Sequence, residues 1–334
     1  MKKILFVIVC LTVVGLQCVK ADTRAAVLLL HEGNGTTYEV AQLAQAVNEA
    51  ADGDTLYLSA GLFQLTDTLK IEKAISIIGQ GQNTIIGGSI AIALEGNPTL
   101  TACMLDAFRI LGDINVAKSV RGLKMRKVNI SAGNLQFLEN VESVEIDRCY
   151  IQSFWSSEHL RSASILNSKI CNERSENADT RECNIVYHNC TLGTRHDAYY
   201  GSPNHVETYI NCIICWSKDG RHDNGSIYNC SLINSLIFSQ ECLSGDYHSE
   251  QNCYFPVGVS VDYLIGWENE NGCALSKDEL LQAGYLGTDG TVVGIEGGNT
   301  PYTLTPNSIN VNNAKLDVDM EKKVLNVTLK VAAN

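Results

Sequence analysis

The chain has 334 residues, 45% of them hydrophobic and 19% charged, with 25 basic against 37 acidic side chains and a formal charge of −12. That supplies enough apolar residue for a large core, and the acidic balance argues against nucleic acid and anionic membrane surfaces as partners. A polyanionic glycan is repelled as well, unless a local basic patch or bound cations override the field.

Met1-Lys-Lys3, the apolar run Ile4 to Leu16 and the small-residue site Val19-Lys-Ala21 have the pattern of a signal peptide cut before Asp22. The expected product is a secreted protein, periplasmic, extracellular or displayed on the cell surface. Cys18 raises the idea of a lipid anchor, but Gly15-Leu-Gln17 before it makes a poor lipobox. No later segment is long and apolar enough to span a bilayer, so no membrane insertion of the mature chain is expected. Cleavage removes Lys2, Lys3 and Lys20, leaving 22 basic against 37 acidic residues and a charge of −15. It also removes Cys10 and Cys18, leaving 11 of the 13 cysteines, an odd number.

Arg24 to His31 predicts a first strand, and Val40 to Ala51 a helix with Val40, Leu43, Ala44, Val47 and Ala50 at helical spacing. Asp52-Gly-Asp54 ends that helix, and Thr55 to Leu58, Gly61 to Phe63, Leu69 to Ile71 and Ile75 to Ile78 follow as short strands, closed by Gly79-Gln-Gly81. Residues 99–126 fit the pattern poorly. Then a ladder begins: Lys127-Val-Asn-Ile130, Arg148-Cys-Tyr-Ile151, Asn167-Ser-Lys-Ile170, Asn189-Cys-Thr-Leu192, Asn211-Cys-Ile-Ile214, Asn229-Cys-Ser-Leu232 and Asn252-Cys-Tyr-Phe255. Its period of about 20 residues marks a stack of supersecondary units. The second position is small or apolar and the fourth is large and apolar, the alternation of a strand facing a core at every second residue. Five of the seven rungs open with Asn, which tolerates the left-handed conformation of a sharp bend. Leucine-rich repeats also carry an Asn/Cys ladder but require a Leu-x-x-Leu-x-Leu run that these rungs lack. The cysteines of the ladder read as a compact, mostly reduced interior column. Cys212 with Cys215 stands at Cys-x-x-Cys spacing, but with no second pair at zinc-site spacing no metal site is expected.

The expected architecture is therefore all-β: a right-handed parallel β-helix, a single-stranded solenoid rising about 4.8 Å per coil, with an N-terminal capping helix and a C-terminal β-hairpin. Ala50-Ala-Asp-Gly-Asp54, Ala60-Gly-Leu-Phe63 and Ile78-Gly-Gln-Gly81, with the ladder behind them, resemble the N-terminal signature of the pectin-lyase-like family. That resemblance spans roughly residues 25 to 265 and implies the fold; it is architectural and does not by itself imply a reaction. Beyond Pro256 the ladder stops. Ser276 to Leu281 predicts a short capped helix. Thr288 to Gly298 with Pro301-Tyr302 resembles a terminal segment of secreted β-helix proteins of Gram-negative gut bacteria, and Ala314 to Val318 with Val324 to Val331 predicts the hairpin. The expected divisions are 1–21 for the signal, 22–270 for the β-helix and 271–334 for the C-terminal segment.

A parallel β-helix offers a long groove flanked by loops, a geometry that suits a polymer. Arg195-His-Asp197 recurs as Arg221-His-Asp223 after ladder strands of adjacent coils, with Trp216 and Asp219 between them and His205, Lys218, Asp246 and His248 nearby. On this reading Arg195, His196, Asp197, Trp216, Asp219, Arg221, His222 and Asp223 bind substrate from loops on one flank. Trp216, Trp155 and Trp267 are candidate sugar-stacking rings. A uronate lyase would use an Arg or Lys base with a cation such as Ca²⁺, and a hydrolase two carboxylates; Asp197, Asp219 and Asp223 could serve either purpose. The plainer alternative is solvated turns whose Arg and Asp pair across neighbouring coils. The ordered catalytic sets of polygalacturonases and the Ca²⁺-site cluster of pectate lyases are absent, so the expectation is a non-catalytic polysaccharide-binding, adhesive or structural module without a resident cofactor. A polysaccharide lyase or glycosidase acting on an acidic glycan is the alternative.

Overall fold

The computed structural model describes residues 25–92, 103–116, 120–155, 159–175, 183–197, 205–215, 230–238, 248–256, 275–304, 309–319 and 324–333. The chain is a parallel β-solenoid built from three columns of stacked strands. The first runs from Thr55–Leu58 through Val144–Asp147, Ser162–Leu166, Cys183–His188 and His205–Ile210 to His248–Gln251. The second stacks Gly61–Gln64, Thr84 to Gly87, Asn129-Ile130, Tyr150-Ile151, Lys169-Ile170, Thr191-Leu192, Ile213–Ile214 and Leu236–Ile237. The third begins at Leu69–Ile71 and passes through Ile90–Ile92 and Ile114–Val116 to the ends of Asn129–Phe137, Tyr150–Trp155, Lys169–Ser175 and Thr191–Asp197.

From Met104–Ile110 onward, a single left-handed residue makes each described corner between the first and second columns. Ala107, Lys127, Arg148, Asn167, Asn189, Asn211, Asn234 and Asn252 all have φ between 46° and 58°. One rung of the ladder is thereby corrected. The bend after Asn211 is Asn234, not Asn229, and the rung reads Asn234-Ser-Leu-Ile237, with Ser235 and Ile237 buried in the second and fourth places. Cys230 and Leu232 belong instead to the first-column strand Cys230–Ile233. Five rungs hold in full: Val128, Cys149, Ser168, Cys190 and Cys212 are buried in the second place, and Ile130, Ile151, Ile170, Leu192 and Ile214 in the fourth, whereas Cys253 and Phe255 of the last rung are only partly buried against the same core. The nine described cysteines are all free. Residues 99–126, which matched no pattern, also carry coils where described: Met104–Ile110, Ile114–Val116 and Lys124–Arg126. Their bend is Ala107, which gives no signal as a turn residue.

At the N-terminal end β1 (Ala26–His31) runs antiparallel between β2 (Asn34–Glu39) and Thr55–Leu58. A 3₁₀ turn, Val40–Gln42, leads into α1 (Leu43–Glu49), which stops short of the expected Ala51. Leu43, Ala46 and Val47, at i, i+3 and i+4, enter the same core as Leu56 and Phe63. At the other end α2 (Lys277–Gln282) starts with a capping box, Ser276 accepting from the Glu279 amide while the Glu279 carboxylate accepts from the Ser276 amide. Residues 284–304 then run back along the second column: Gly294 N donates to Asn211 O (2.7 Å), Asn167 Nδ2 donates to Thr300 Oγ1 (3.3 Å), and Leu304 is buried with Tyr150 and Cys171. The hairpin pairs Ile309–Asp319 with Val324–Ala333, longer than its sequence suggested. No described helix is long and apolar enough to cross a membrane.

Candidate functional site

Residues of the third column alternate between the core and the outside. Ile114, Val116, Leu135, Phe137 and Phe154 are buried, while Asn115, Asn134, Gln136, Ser153 and Trp155 between them remain partly exposed. Parallel register aligns Lys70, Ala91, Asn115, Gln136 and Trp155 in one outer row. Asn134, Ser153 and Asn172 form a second row beside it. At about 4.8 Å per coil, the four steps from Lys70 to Trp155 span about 19 Å.

The face is held rigidly. Asn134 donates from both its backbone N and Nδ2 to Asp113 Oδ1 on the preceding coil (2.8 and 2.9 Å), and Asn172 Nδ2 donates to Gln152 O (3.0 Å). Trp155 Nε1 donates to Ser153 Oγ (3.2 Å), which ties the indole to the neighbouring row. Asn115 Oδ1 is buried without a donor among the described residues. The rise per coil, the amides and the ring therefore make a regular strip of donors, acceptors and one flat apolar surface.

Sequence reasoning placed Arg195, His196 and Asp197 in a loop. They stand instead at the end of the strand Thr191–Asp197, in register with Glu173, Arg174 and Ser175. The chain passes from second to third column without a loop because Gly193 allows a tight corner; a Cβ there would lie 2.2 Å from Cys171 O. At the level of the backbone, the row of Trp155 continues through Arg174 to His196, whereas Arg195 takes the register position of Phe154 and Glu173, both buried. Trp216, Asp219, Arg221, His222 and Asp223 lie outside the described residues, as do Lys218, Asp246 and Trp267. His205 and His248 open the first-column strands His205–Ile210 and His248–Gln251.

Two buried carboxylates escaped the sequence reading. Glu173 and Glu207 are 1% and 0% exposed. Tyr187 Oη donates to Glu173 Oε1 and Tyr209 Oη to Glu207 Oε2, both at 2.6 Å, and the two phenol rings stack 4.7 Å apart, tilted by 7°. A charged carboxylate so placed is tolerable only with strong hydrogen bonds. On earlier coils charges pair across neighbouring turns of the solenoid: Arg126 with Asp106, Lys124 with Glu145 (2.9 Å) and Arg121 with Glu142 (2.9 Å).

Among the described residues no group of three or more His, Cys, Asp or Glu could hold a metal ion. Cys212 and Cys215 join different clusters, Cys212 the solenoid core and Cys215 the one under residues 275–304, which parts the apparent Cys-x-x-Cys pair. A cleft of about 280 Å³ lies between α1 and the segment Gln64–Lys70. A shallower depression of similar volume lies on the outer side of the first column, around Glu145, Ser162, Ser164 and Asn184.

Comparison with models of known protein families and with curated proteins finds no match for this chain. Fold and face together define a class: a parallel β-solenoid bearing an amide-rich, aromatic-bearing outer sheet.

Proposed function

We propose that this protein binds a polysaccharide along the outer face of its third column, without cleaving it. The observation that carries the reading is the row Lys70, Ala91, Asn115, Gln136, Trp155, repeated at one coil per step beside Asn134, Ser153 and Asn172. Amide groups both donate to and accept from hydroxyls, and an indole face stacks on the C–H face of a pyranose. A linear polymer extends such contacts from coil to coil. The acidic balance of 25 basic against 37 acidic residues favours a neutral glycan over a polyanionic one. Hydrolysis of a glycosidic bond canonically uses two carboxylates flanking it. Among the described residues, the face offers Asp113, whose Oδ1 already accepts from Asn134. We further take the coil to be right-handed and similar to the pectin-lyase-like family, and the chain to work as a secreted or surface-displayed module.

Affinity electrophoresis in gels containing neutral and acidic polysaccharides, followed by mass spectrometry of the incubated polymers, tests this. The wild type should be retarded by a neutral glycan, Trp155→Ala should weaken that retardation about tenfold or more, and no oligosaccharides should be released. Equal retardation of both proteins, or none in any gel, would refute the reading. Products with unsaturated uronate ends would replace it with a lyase.

A further inference from the structure

The outer row of the third column has a closed end. Leu69–Ile71 is the first strand of that column, pairing with Ile90–Ile92, and α1 packs against it. Val40, Ala44 and Asn48, one stripe of the turn and helix at i, i+4 and i+8, form one wall of the 280 Å³ cleft, and Thr66, Asp67 and Lys70 line it opposite. Lys70 belongs at once to the cleft and to the row that leads to Trp155. A polymer lying on the row therefore meets the helix at Lys70 and has nowhere to continue.

Both walls are fixed. The helix is anchored by Leu43, Ala46 and Val47 in the core. The opposite segment is pinned to the next coil at both ends, Leu65 N donating to Gly87 O (3.0 Å) and Leu69 N to Ser89 O (2.9 Å), with the Gln64 amide also donating to Gly87 O (2.8 Å). Thr66 Oγ1 donates to Asp67 Oδ2 (3.3 Å), while Asp67 Oδ1 makes no hydrogen bond and Lys70 no ion pair among the described residues. One carboxylate, one ammonium, an amide and a hydroxyl give no net charge. They form a set of donors and acceptors that matches several hydroxyls on one sugar, with Val40 and Ala44 as the apolar part of the helix wall.

We infer that this cleft captures the terminal sugar of a neutral glycan chain, so that the protein binds polymer ends in one orientation. The inference rests on the glycan-binding reading above. An interior stretch of polymer would carry chain on both sides of the cleft, and α1 blocks one of them.

The test is calorimetric titration with cello-, xylo-, manno- and malto-oligosaccharides of about six sugars, and with the corresponding long soluble polymers. With the best binder, the polymer should titrate at one protein per chain, independent of its length. Asp67→Ala and, separately, Lys70→Gln should weaken the oligosaccharide by about tenfold, the loss of one charge-assisted hydrogen bond. Both side chains are exposed, so circular dichroism should match the wild type. Stoichiometry that rises in proportion to polymer length, or unchanged affinity in both variants, would overturn end capture while leaving the groove in place. Loss on Asp67→Ala with full affinity in Trp155→Ala would retain the cleft and overturn the groove. Absence of binding to every glycan of the set would overturn both.

Discussion

Ala107 holds the same left-handed bend, φ 58°, that Asn167, Asn189 and Asn211 hold in later coils. A Cβ in that region costs roughly 1–2 kcal/mol, less for Asn, and nothing for glycine. Ala107→Gly should therefore stabilise the protein by about 0.5–1 kcal/mol despite the added chain entropy, seen as a raised urea midpoint with unchanged slope. A lowered midpoint would show that the bend is unstrained. The same residue explains a failure of legibility: Asn marks the corner in the later rungs, while Ala107 carries no turn signal and residues 103–116 fell silent. The opposite error arose at Asn229-Cys-Ser-Leu232, whose letters imitate a rung one strand before the true bend at Asn234. The cysteine column was legible because its chemistry is that of a small apolar side chain. Burial pushes the Cys103 and Cys149 thiols up to about 12, which suppresses the reactive thiolate.

At the scale of elements, one polar pair adds to the antiparallel ladder that joins β1 to Thr55–Leu58. His31 Nδ1 lies 2.8 Å from Asp54 Oδ1, and Asp54 Oδ2 accepts from the Ala51 amide at 2.7 Å. The hydrogen bond to Asp54 raises the pKa of His31 above 6.5. Burial pushes Asp54 upward, but the Ala51 amide and His31 outweigh it and hold the group below 3.8. The His31 contribution is present below 6.5 and is lost as pH rises through its folded value; that of Asp54 is present above 3.8 and is lost as pH falls through its folded value. Stability conferred by the pair is therefore greatest between pH 3.8 and 6.5. The difference in urea midpoint between wild type and His31→Gln should peak there and shrink toward pH 8; a difference independent of pH would remove the pair from the account. The third column shows why the proposed binding face was harder to read than the ladder. Its strands are as short as three residues, Leu69–Ile71, Ile90–Ile92 and Ile114–Val116, too few for an alternation to stand out. Only stacking reveals that Asn115, Gln136 and Trp155 share a row.

For the whole molecule, residues 284–304 tie the late coils to the earlier ones, running against the direction in which the solenoid grows. Gly294 has φ 78°, and a Cβ there would lie 2.5 Å from Ile213 Cδ1 and 3.1 Å from Thr191 Oγ1. Gly294→Val should lift this segment from the column at a cost of about 1–3 kcal/mol and speed hydrogen exchange at Thr191-Leu192 and Ile213–Ile214, leaving Gly61–Gln64 unchanged. Unaltered exchange at those strands would mean that the segment merely lies on the surface. The stack also sets the central claim, that one face of this solenoid, a row of amides and an indole, recognises a glycan. Carbene footprinting of the full chain with and without a bound neutral polysaccharide measures it most directly. Protection should be confined to Thr66, Asp67, Lys70, Ala91, Asn115, Asn134, Gln136, Ser153, Trp155 and Asn172. Protection centred instead on the outer side of the first column, at Glu145, Ser164 and Thr208, would contradict it.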